Sequence, residues 1–105
     1  MQPQGNPDDF LARLVATAVE YGADALDIEY KDGHEEVCAM KGNVGFGIAS
    51  LDSSSEEAQA LREHLGAIGR KGKTITAAGV SYRLKVRTHD SFGEEAFRVS
   101  IEKSV

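Results

Sequence analysis

The chain has 105 residues, a net charge of −5, 41% hydrophobic and 28% charged residues, which suits one soluble globular domain. No apolar run approaches the ~20 residues of a membrane span, and a single cysteine, Cys38, excludes an internal disulfide. The opening MQPQGNPDD lacks the basic and apolar regions of a signal peptide, so a cytoplasmic, reducing location is expected.

The charge is unevenly divided. Residues 1–57 hold three bases against twelve acids, and residues 58–105 hold nine bases against five acids. Sequence halves need not be spatial halves, so folding is expected to blur this division, although a dipolar surface is the alternative.

In chain order, residues 1–6 read as a tail and residues 7–105 as one domain. Asn6-Pro7-Asp8-Asp9 is a helix start, with Asn6 as cap, Pro7 at the first helical position and two acids at the positive end of the dipole. Phe10, Leu11, Leu14, Val15, Ala18 and Val19 make one apolar face, and Gly22 stops the helix. Leu26, Ile28 and Tyr30 alternate with Asp27 and Glu29 as in a half-buried strand. Asp32-Gly33 turns the chain into a return strand from about Glu35 to Lys41. Gly42-Asn43 turns it again. Val44, Phe46 and Ile48 then alternate with Gly45, Gly47 and Ala49, whose small size predicts close packing on that face, with a helix as one candidate.

Ser53 or Ser54, with Glu56 or Glu57 three positions on, reads as a capping box for a second helix. Its buried stripe is Ala58, Leu61, Leu65 and Ile68, and it ends at Gly69 or Gly72. A strand over Thr74–Ala77, a turn at Ala78-Gly79 and a long strand over Val80–Thr88 follow. His89–Glu94 is expected to be a loop, and Phe97, Val99 and Ile101 mark the last strand. The order α-β-β-β-α-β-β, with a further late strand, predicts an α+β fold: an antiparallel sheet of five to six strands with both helices on one face.

Several motifs invite chemistry. Gly72-Lys73-Thr74 resembles the end of a phosphate-binding loop, but the glycine required five residues before Gly72 is replaced by Ala67. The segment also follows a helix and opens a strand, the reverse of a P-loop, so a basic surface loop is expected. His34, His64 and His89 are isolated, and Cys38 has no partner at metal-ligand spacing. Asp27 and Glu29 share a strand face, the minimum for a divalent cation, and a solvated face explains them better. No catalytic cluster, metal or cofactor is expected. The stripe Arg83, Lys85 and Arg87, extended by Arg98, is the candidate binding surface, with Arg70, Lys71 and Lys73 joining it if the fold brings the loop alongside. The same stripe also fits a solvated outer sheet face.

Taken together, the elements resemble the N-terminal domain that precedes the motor core of type II secretion and type IV pilus ATPases. Gly22-Ala23-Asp24-Ala25-Leu26-Asp27-Ile28-Glu29 is similar to that family's Ala-Ser-Asp-Ile-His-Ile-Glu opening after a helix-ending glycine. Lys41-Gly42 falls at its Asp-Gly turn, and Arg70–Lys73 at its Pro-Gln-Asp-Gly-Arg run. Tyr82–Thr88 is similar to its Tyr-Asp-Leu-Arg-Val-Ser-Thr strand. Ser91-Phe92-Gly93-Glu94 with Phe97-Arg98-Val99 resembles its Gly-Glu turn and final strand.

The match spans about residues 8–102. Where the family carries arginines before its first hairpin turn, this chain has Cys38, Ala39, Met40 and Lys41, and no motor core follows. The resemblance therefore implies a free-standing bacterial relative without ATPase activity: a non-catalytic protein-interaction or regulatory module. Its partner would be a secretion or pilus component or a second copy of itself. The alternative is a domain binding an anionic ligand, nucleic acid or a nucleotide phosphate, through the basic strand face; nucleic acid is less favoured because no aromatic side chain accompanies the cations.

Overall fold

The structure, a computed structural model, describes residues 7–91 and 93–104. The expected tail at 1–6, the cap at Asn6 and the turn residue Phe92 lie outside the described residues. Helix α1 (Pro7–Glu20) turns Leu11, Leu14, Val15 and Ala18 inward. It ends where Gly22 takes φ +77° and its amide donates to the Val19 carbonyl at 2.9 Å.

A meander follows: β1 (Ala25–Lys31), β2 (His34–Lys41) and β3 (Val44–Asp52). Asp32 and Gly33 both have positive φ, as the type I′ hairpin requires. Helix α2 (Glu56–Ile68) leads to a second meander of β4 (Lys73–Ala77), β5 (Val80–Ser91) and β6 (Glu94–Lys103). The fold is α+β, with six antiparallel strands in the order β3-β2-β1-β6-β5-β4.

One core holds the domain together. Leu26 and Ile28, Val37 and Ala39, Leu84 and Val86, and Phe97 and Val99 point to one side of the sheet. There they meet Leu11 and Val15 of α1 and Leu61 and Leu65 of α2. Both helices thus cover the same face, and the other face carries most of the strands' polar residues, with Glu35 of β2 and Lys73 of β4 in the helix-face phase.

Four expectations change. The cap of α2 is Ser55, whose hydroxyl accepts from the Ala58 amide at 3.1 Å. Ser53 and Ser54 instead donate to Glu35 and Asp52, and with Ala58 at the third position there is no capping box. His89–Ser91 belong to β5 and pair with Glu94–Ala96; this extension is exposed and polar at His89 and Asp90, so no apolar period marks it. A bulge lies between Val37 and Cys38 of β2, opposite an extra residue, Ile48, on β3. It shifts the phase of β3 so that Ala49, like Phe46, sits on the helix face. Finally, Met40 of the neighbouring strand, not a helix, packs over Gly45: a Cβ there would lie 2.8 Å from its sulfur.

Candidate functional site

Alternation along β5 places Arg83, Lys85 and Arg87 on the helix-free face, all exposed. Their neighbours follow from register. Arg87 lies opposite Arg98, Lys85 opposite Ser100, and Arg83 between Glu102 and Thr74. The loop after α2 is laid against the same strand. The Val86 amide donates to the Gly69 carbonyl at 2.9 Å, and Arg83 Nη2 donates to the Lys71 carbonyl at 2.6 Å.

Gly72 makes this approach possible. It has φ +83°, and a Cβ there would stand 2.7 Å from the Leu84 carbonyl oxygen. Arg70 and Lys71 on the loop are therefore brought beside Arg83 and Lys85. Lys73, expected to join them, does not: it lies opposite Leu84 and in phase with buried Ile75, so strand alternation turns it to the helix face. Gly72-Lys73-Thr74 opens a strand, so no helix amides converge at this lysine and threonine as they do in a P-loop.

Arg98 plays a different part. Its Nε and Nη2 hold Asp27 in a two-pronged pair at 2.7 and 2.8 Å. The hydrogen bond to Asp27 raises the Arg98 pKa above its ordinary value, against a smaller opposing effect of burial. This pair sits at the junction of β1 and β6. On its β6 side lie the cations of β5. On its β1 side lie Asp27, Glu29 and Glu36, the last accepting from the Ser50 hydroxyl at 2.7 Å. The strand order thus keeps the acidic first half of the chain beside the basic second half, where blurring was expected.

Cys38 lies on the acidic side, half-buried opposite Asp27. Burial raises its thiol pKa, and the charges of Asp27, Glu29 and Glu36 raise it further, so it is a poor nucleophile. Among the described residues no group of three or more His, Cys, Asp and Glu side chains is placed to hold a metal ion. No helix there is long and apolar enough to cross a membrane.

No protein-family model matches the chain, and no curated protein matches it.

Sequence reasoning missed a buried ionic contact. Glu35 is 3% exposed, meets Arg62 Nη1 of α2 at 3.0 Å and accepts from the Ser53 hydroxyl at 2.9 Å. The available signal was its position: Glu35 shares the inward phase of β2 with Val37 and Ala39, where a carboxylate requires a partner. Its partners come from one helix and the turn before it, so the contact ties α2 to the sheet.

Proposed function

We propose that this domain is a non-catalytic protein-interaction module, akin to the accessory N-terminal domain of secretion and pilus ATPases, that docks an acidic protein surface. The supporting observation is the exposed stripe Arg83, Lys85 and Arg87 on the uncovered sheet face, flanked by Arg70 and Lys71 of the loop. A strand fixes the spacing of its cations, which favours steering and register of an acidic partner. Binding should weaken as salt rises, because exposed charges are screened beyond about 8 Å at physiological ionic strength. Tagged protein should capture a partner at low salt and lose it with Arg83→Ala plus Arg87→Ala. Capture unchanged by that double substitution, or ATP turnover above that of a Lys73→Ala, Thr74→Ala preparation, would refute the proposal.

A second reading takes a phosphate as the ligand. It draws on the Arg83 to Lys71 contact, which sets loop and strand cations side by side. Titration of labelled single-stranded DNA, RNA and ATP at low salt should then shift the amides of residues 70–73 and 83–87 alone. Phosphate contacts give affinity without sequence preference, so the absence of shifts at millimolar ligand would reject this second reading and leave the first.

A further inference from the structure

The two edges of the sheet are built differently. β4 is short, only five residues, and shows exposed Lys73, Thr74 and Thr76 along its length, the usual protection of a free edge. β3 is nine residues long and carries no charge before Asp52. Its bulge distorts only the second half, leaving Val44–Gly47 regular. The large hydrophobic side chains exposed among the described residues are Tyr21, Tyr30, Val44 and Phe46. Three of these gather at this edge: the Tyr21 and Phe46 rings stack at 5.6 Å, and Val44 is two residues along the strand from Phe46. All three lie on the helix face, since Phe46 opposes buried Ala39.

We infer that β3 is a pairing edge for a second copy of this chain, joining two sheets antiparallel through residues 44–47. Lys41 and Val44 flank the two-residue turn as a hydrogen-bonded pair, so Val44 and Phe46 direct their backbone groups to β2. Gly45 and Gly47 then direct theirs outward. A two-fold axis through Phe46 lets Gly45 of each copy exchange both hydrogen bonds with Gly47 of the other. The axis is perpendicular to the sheet, so helix faces stay on the same side. Each Tyr21–Phe46 stack therefore meets its own counterpart, which is the self-complementarity a two-fold contact demands.

The occupant is a copy rather than a charged partner because the segment is uncharged and apolar. In a chain of net charge −5, it lets two copies approach without setting acid against acid. This inference does not rest on the basic face.

Sedimentation across micromolar to millimolar concentrations at low and high salt tests it. The expected result is a monomer–dimer equilibrium that high salt does not weaken, whereas a contact through the charged face would weaken. Val44→Lys, at a position 57% exposed, should raise the dimer Kd roughly tenfold or more with an unchanged circular dichroism spectrum. In a Cys38→Ala background, Phe46→Cys should oxidise to a covalent dimer, because non-hydrogen-bonded antiparallel pairs bring Cα atoms to about 4.5 Å, within disulfide reach. Thr76→Cys on β4 should not. A monomer at every concentration overturns the inference and leaves the edge to a strand of another protein. A dimer indifferent to Val44→Lys, or one in which Phe46→Cys fails to cross-link, overturns it equally.

Discussion

At Glu35 a carboxylate is held under α2 by one guanidinium and one hydroxyl, and removing it leaves polar groups without their partner. Arg62 is a third exposed, at 33%, so water can reclaim part of the loss. Glu35→Ala should cost about 1–3 kcal/mol in urea unfolding, with Glu35→Gln costing less; an unchanged midpoint for Glu35→Ala would contradict the structural role. Ala78 poses the opposite case. It has φ 51° in the β4–β5 turn, with Gly79 at φ 79°, and a residue with a Cβ loses about 1–2 kcal/mol in this region. Ala78→Asn, the residue this turn prefers, should raise the melting temperature, with a gain of roughly 0.5–1 kcal/mol. At Cys38 the raised pKa keeps the thiol protonated at neutral pH. Its alkylation should be slower than that of a free thiol at pH 8 and accelerate steeply as pH rises. Glu29→Gln with Glu36→Gln should quicken it at fixed pH, and rates equal to a free thiol would show that burial and these acids do not govern it.

At the scale of elements, α2 illustrates how a helix is secured. Ser55 satisfies the Ala58 amide, Glu56 and Glu57 face the positive end of the dipole, and Gly69 closes the last turn through its amide to the Leu65 carbonyl. Its attachment to the sheet comes from Ala58, Leu61, Leu65 and Ile68. Leu65→Ala, at a site with no exposure, should destabilise the domain by about 2–5 kcal/mol in denaturant titration. A loss under 1 kcal/mol would mean the helix contributes little to the core. These apolar stripes, like those of α1, β1 and β6, were legible because 3.6-residue and two-residue periods are written directly in residue type. The outer half of the β5–β6 hairpin was not, since exposed polar residues pair through backbone groups that carry no sequence signature. The bulge at Ile48 was equally hidden: Val44, Phe46 and Ile48 alternate faultlessly until one extra residue shifts the register.

For the whole molecule, the consequential contact is the pairing of β1 with β6. It sets the first meander beside the second and leaves Asp27 and Arg98 facing one another at the seam. Their geometry is two-pronged, but Arg98 is 45% exposed, so solvent screens much of the attraction. A double-mutant cycle with Asp27→Asn and Arg98→Gln should give a coupling energy of about 0.5–1 kcal/mol that shrinks with added salt. A coupling near zero at low salt would make the seam a neighbourhood without energetic consequence. The same pairing decides the candidate surface, because charge separated along the chain becomes charge separated across the sheet.

Local residue patterns were enough to define the two helices, the two meanders, the turns at Asp32-Gly33, Gly42-Asn43 and Ala78-Gly79, and the outward phase of Arg83, Lys85 and Arg87. Each of these depends on neighbours within a few residues. Tertiary contacts were needed to show that Arg62 neutralises Glu35, that the Arg70–Lys73 loop lies along β5, that Arg98 is bound to Asp27, and that β3 is an outer strand of the sheet among the described residues. Those outcomes join residues far apart in the chain. Strand order and helix docking are selected by burial of one common core, and no local pattern of residues specifies which meander edge remains open.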